Sequence, residues 1–128
     1  MTYVDGFVIP VPEGKLDAYR EMAAHAGKIW MKHGALSYKE CVLEDAKPTM
    51  PDDAPDGCKI TSFHKLANTT EGETVIFAFI VYESRAHRDD VNAKVMADPR
   101  MGEGCDMNNL PFDPARMTYG GFEALVDL

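Results

Sequence analysis

Cysteine is scarce: the 128-residue chain has three, Cys41, Cys58 and Cys105, an odd number, widely spaced. No two of them form a CxxC pair, so the sequence carries neither a disulfide framework nor a thiolate metal site. They read as reduced thiols of a cytoplasmic protein. Positive charge is also short, with 13 Lys and Arg against 21 Asp and Glu and a net charge of −8. That balance disfavours nucleic acid, whose phosphate backbone is met by clustered Lys and Arg, and it disfavours adhesion to anionic membranes. No apolar run approaches the roughly 20 residues of a membrane-spanning helix. The N-terminus lacks a basic region followed by a long apolar core, so no signal peptide is expected. The four histidines form no HxH or HExxH pattern. Asp52, Asp53 and Asp56-Gly57 resemble a calcium loop, but the twelfth position counted from Asp52 is Phe63 where glutamate is required. No metal or other cofactor is expected.

What is present is ordinary for one globular domain spanning 1–128: 45% hydrophobic and 27% charged residues. The chain is organised around TVIFAFIVY, residues 74–82. β-branched and aromatic residues suit a pleated strand. Alternation sends Val75, Phe77, Phe79 and Val81 to one side and Ile76, Ala78, Ile80 and Tyr82 to the other. Both sets are apolar, so both faces need cover.

A first strand is predicted over 2–9, ended by Pro10-Val11-Pro12, with Asp5 as its single charge. A buried Asp5 needs a partner. Residues 13–33 predict a helix, because Leu16, Tyr19, Met22, Ala23, Ala26, Ile29 and Trp30 recur at spacings of three and four. Residues 35–43 form a second strand with Leu36, Tyr38, Glu40 and Val42 on one face. The acidic, proline-rich 44–57 is a loop, and 58–67 reads as a strand-like entry into one helical turn. Ser84 caps a helix over 85–97, with Asp90 and Lys94 paired at i,i+4. Residues 100–113 are irregular. The last strand covers 116–125, with Gly120-Gly121 as a bulge or a point of close backbone approach.

The order β-α-β, β-α-β is the split βαβ repeat of the ferredoxin-like α+β fold, with a four-stranded antiparallel sheet and both helices on one face. Two helices cover one face only. The other apolar face would be a large exposed patch in a monomer, so a homodimer packed sheet to sheet is expected.

Several stretches together resemble the YbaA-like family of uncharacterised bacterial proteins, a domain family of unknown function. They are YVDGFVIPVP, GALSYKEC, DDAPDG with TSF after it, ETVIFAFIVYESRAHRDDVNAKVMADPRM and PFDPARMTYGGFE, and they span nearly the whole chain. The KPTMP insertion in the acidic loop is the variable feature. The resemblance implies a dimeric α+β barrel, in which two ferredoxin-like protomers join their sheets. It supplies no established activity and no catalytic residues.

Several residues are candidates for chemistry. Arg85 and Arg88 put positive charge at the positive end of a helix dipole, an unfavourable placement that would suit a bound carboxylate or phosphate. The ordinary reading pairs Arg85 with Glu83 and Arg88 with the acidic loop. Asp5, Glu40 and Tyr119 lie on three strands and could meet on one sheet surface with Tyr38, either as general acid-base groups or as a buried hydrogen-bond network. His33, at a helix end, is a candidate acid or base. Cys41 is expected to pack. By fold-level analogy, Trp30, Phe7 and Phe79 are candidate pocket walls. Three functions compete. One is a dimer that binds a small organic molecule, anionic ones included. Another is a cofactor-independent monooxygenase or isomerase acting on a small organic acid or aromatic, with Asp5 or His33 as proton acceptor, Tyr119 orienting the substrate and Arg85 or Arg88 holding an anionic group. The last is a non-catalytic protein-interaction dimer.

Overall fold

The computed structural model describes residues 1–47, 55, 60–103 and 106–128. Strand β1 is Tyr3–Pro12, helix α1 Leu16–Lys32, strand β2 Ser37–Val42, helix α2 Phe63–Ala67, strand β3 Glu73–Tyr82, helix α3 Arg85–Ala97 and strand β4 Thr118–Glu123. The four strands form one antiparallel sheet in the order β2-β3-β1-β4. This is the ferredoxin-like arrangement, with the doubly apolar β3 between β1 and β2. Among the described residues, no helix is long and apolar enough to cross a membrane.

β1 runs through both prolines rather than stopping at Ile9. β4 pairs only with Tyr3–Val8, so Pro10 and Pro12 stand where one side of β1 is open, the setting in which a strand tolerates a residue without N–H. The first turn expected of the long helix is a 3₁₀ turn, Glu13–Lys15, and α1 proper starts at Leu16. Gly120 and Gly121 pair directly with Gly6 and Asp5, so the expected bulge is absent. The close approach is real: a Cβ on Gly121 would stand 2.3 Å from the Tyr3 hydroxyl oxygen. Arg116, expected in the last strand, belongs to a 3₁₀ turn. It donates to Glu73 at 2.6 and 2.9 Å, and those bonds pull the Glu73 carboxyl down to about 2. Of the acidic loop, residues 48–54 and 56–57 lie outside the described residues, as do Cys58 and Cys105.

α1 and α3 cover the face that carries Ile9, Ile76, Ala78, Ile80 and Tyr82, and these side chains are buried. Val91 and Val95 of α3 are sealed against Ile29, Ile80 and Tyr82. The opposite face carries Val4, Val8, Phe77, Phe79, Val81 and Phe122. α2 shields one corner of it, with Phe63 edge-on to Phe77 at 6.2 Å. Ser62 caps α2 by accepting from the Lys65 amide at 3.1 Å. Val75 and Pro10 on this face are buried, whereas Phe77 is 45% and Phe122 59% exposed. Cys41, expected to pack, is exposed on the same side.

Candidate functional site

Two polar clusters lie on the helix-covered face. The first is built on Asp5, which alternation in β1 turns towards α3. Its Oδ1 accepts from Arg88 Nη1 at 2.7 Å and from the Tyr119 hydroxyl at 2.9 Å. Arg88 also donates from Nε to Asp89 at 2.7 Å, and its guanidinium lies 4.9 Å from the centre of the Tyr3 ring. These acids raise the Arg88 pKa, and burial followed by the Asp5 hydrogen bond raises that of Tyr119. The positive charge of Arg88 at the start of α3 is thus met by the buried Asp5 carboxylate and by Asp89. Ser84 Oγ meets the His87 amide at 3.1 Å, which uses one of the helix-end donors. Beside this cluster, Asn92 Oδ1 accepts from Trp30 Nε1 at 3.1 Å and from the Tyr82 hydroxyl at 3.3 Å.

The second cluster centres on Glu40 of β2. Tyr38, two residues earlier on the same strand face, donates to Oε1 at 3.1 Å. Tyr19, from the buried stripe of α1, donates to Oε2 at 2.8 Å. Burial raises the Glu40 pKa, and the two phenol hydrogen bonds oppose that rise. Burial first, then the neighbouring carboxylate, keep both phenols protonated far above their ordinary range. Tyr38 fits against α1 because position 27 is glycine: a Cβ there would come within 2.7 Å of the Tyr38 ring.

This cluster separates two cavities. An outer groove of about 540 Å³ runs between α1 and β2, with Arg20 and Lys28 on its rim. An inner cavity of about 230 Å³ lies between α1 and the sheet, walled by Phe7, Trp30, Ile80, Met101 and Phe112. Tyr19, Ala23, Tyr38 and Glu40 line both, and so form the partition between them. Among the described residues, no group of three or more His, Cys, Asp or Glu side chains is arranged to hold a metal ion.

The candidate residues thus divide. Asp5, Tyr119 and Arg88 come together, as do Glu40 and Tyr38, and the Phe7–Tyr119 ring contact at 5.1 Å stands beside the first set. Glu40 does not join Asp5. His33 lies elsewhere, at the end of α1, with Nε2 2.8 Å from Asp98 Oδ2; Arg100 also binds Asp98. Arg85 is exposed and borders neither cavity. Trp30 and Phe7 line the inner cavity, whereas Phe79 faces the opposite side of the sheet. Sequence reasoning placed Tyr19 in the apolar stripe of the helix and missed its role. The available signal was its hydroxyl, since a buried phenol needs a partner.

The molecule is therefore a ferredoxin-like α+β protein with a carboxyl-centred cavity between its first helix and the sheet. It belongs to the family described as "Protein of unknown function (DUF1428)", whose model matches residues 2–114. The chain is 46% identical over 127 residues to the Escherichia coli K12 protein named "Uncharacterized protein YbaA", covering 99% of each. A protein of the same name from Shigella flexneri matches to the same extent. Among solved structures, the de novo designed protein Foldit4 aligns with 97% of this chain and 99% of its own at 9% identity. The TM-score of that alignment is 0.47.

Proposed function

We propose that this protein is a cytoplasmic homodimer that binds a small organic molecule between α1 and the sheet. The observation that carries the binding reading is the inner cavity of about 230 Å³, apolar on most sides and furnished with the Glu40–Tyr19–Tyr38 cluster at one wall. Ligand sites are concave and mostly apolar, with a few convergent polar groups. The dimer reading rests on the open apolar face around Phe77, Phe79 and Phe122. Enzymatic action on a small organic acid or aromatic is the second reading. It needs a titratable group inside the cavity, and Glu40 with its raised pKa fits that need better than Asp5, which is already paired with Arg88, or His33, which is paired with Asp98.

A thermal-shift screen across carboxylates, phosphates, amines and aromatic metabolites tests the binding reading. A ligand at about 100 times its Kd adds roughly 2.7 kcal/mol. Hits are expected to disappear in Ala26→Leu, which fills the inner cavity from α1. Hits that survive this filling, or no hit in any class, would sink the reading.

A further inference from the structure

The hydrogen-bond accounting of the inner cavity selects the kind of ligand, an inference that rests on the binding reading above. Among the described residues, each side-chain donor on the cavity wall is already committed. The Tyr19 and Tyr38 hydroxyls donate to Glu40 at 2.8 and 3.1 Å. Trp30 Nε1 donates to Asn92 at 3.1 Å. His25 Nε2 lies 2.6 Å from the Arg100 carbonyl oxygen, which can only accept, so this nitrogen carries the proton. Lys39 points to the opposite face of β2 from Tyr38 and Glu40, with Nζ 3.4 Å from Ser37 Oγ. What remains is acceptor capacity. An ionised carboxylate has about four lone-pair sites, and one hydrogen bond reaches each Glu40 oxygen. The two phenol oxygens add further lone pairs.

A carboxylate or phosphate entering this cavity would meet side-chain acceptors and no uncommitted side-chain donor among the described residues, and would bring a second negative charge beside Glu40. An ammonium would meet the reverse. It would donate to Glu40, favour the ionised carboxyl that burial disfavours, and stand among the rings of Trp30, Tyr38 and Phe7, which attract cations through their faces. The outer rim cations, Arg20 and Lys28, lie on the other side of the partition. We propose that the inner cavity takes a small molecule with an apolar or aromatic body and a hydrogen-bond-donating head, an organic ammonium above all, seated on Glu40.

Trp30 is the one tryptophan of the chain and lines this cavity, so its fluorescence reports occupancy. The test titrates the full chain at pH 8 with three probes matched in size: 2-phenylethylamine, 2-phenylethanol and 3-phenylpropionate. The expected result is saturable quenching by the amine, weaker quenching by the alcohol, and at least about tenfold weaker binding of the carboxylate, the usual worth of a hydrogen bond to a charged group. Glu40→Gln should lower amine affinity by about tenfold and leave the alcohol within about threefold. Carboxylate binding as tight as amine binding, or unchanged amine affinity in Glu40→Gln, overturns the donor assignment and leaves the binding reading standing. Quenching by none of the three also overturns it. The broader thermal-shift screen then decides whether the binding reading falls as well. Should Glu40→Gln fail to fold, the comparison of amine with carboxylate on the unmodified chain decides alone.

Discussion

Asp5 is 2% exposed, and one of its oxygens receives both the Arg88 guanidinium and the Tyr119 hydroxyl. A buried ion pair of this kind adds little over an apolar pair of the same size, but breaking it leaves an uncompensated charge. Asp5→Ala and Arg88→Ala should each cost about 3–5 kcal/mol. Asp5→Leu combined with Arg88→Met should cost clearly less than the two single losses added together. Urea unfolding of the three variants against the parent measures this. Equal additive losses would mean that the two residues act independently. The sequence exposed each half of the pair as a broken rule: a carboxylate in an apolar strand, and arginines at the wrong end of a helix. It could not join the halves, because the two residues are 83 positions apart and the contact is made only when α3 folds back over β1. Separation along the chain also hid the split of Asp5 and Glu40 into separate clusters. Both lie on one face of the sheet, and only the strand order puts them in different places.

At the scale of elements, α1 does two jobs. Its stripe of Leu16, Tyr19, Ala23 and Ile29 packs on the sheet, and Gly27 lets Tyr38 of β2 lie directly against the helix. Replacing glycine by alanine in a helix interior normally stabilises by about 1 kcal/mol. Here a Cβ at position 27 would stand 2.7 Å from the Tyr38 ring, so Gly27→Ala should lower Tm despite its better helix propensity. Gly14→Ala, with nothing within 4 Å of the added carbon, is the control and should leave Tm unchanged or raise it. Adding Tyr38→Leu to Gly27→Ala should recover part of the loss by removing the clash. A Tm in Gly27→Ala at or above that of the parent would show that Tyr38 shifts freely, and that the partition is not held by this contact. The helix itself was plain in the spacing of its apolar residues. Its start was blurred because Pro12 and Glu13 favour a helix entry and a strand end equally well. The short α2 was blurred because five residues are too few to show a period.

The whole molecule follows from the two apolar faces of β3. One is covered by α1 and α3, a cover legible in the sequence because two amphipathic stretches flank the strand. The other carries Val4, Val8, Phe79, Val81 and Phe122, with the Phe122 ring lying over the paired Gly6 and Gly120. A third helix, α2, packs at the Phe77 end of this face against β3 and β1, and the sequence pattern did not assign it to this side. A contiguous apolar surface of that kind on a monomer invites association. A second copy is the self-complementary partner, because a two-fold axis brings identical patches together. Light scattering at micromolar concentration should therefore give about twice the 14.2 kDa chain mass. Phe79→Glu and Phe122→Glu put charge on this face and should give the single-chain mass. Because both side chains point away from Trp30 and Glu40, quenching of Trp30 by a cavity ligand should persist in the monomeric variants. Loss of both properties together would mean that the cavity needs the second copy to hold its shape. A parent chain that scatters as a monomer would remove the dimer and leave the cavity to be judged alone.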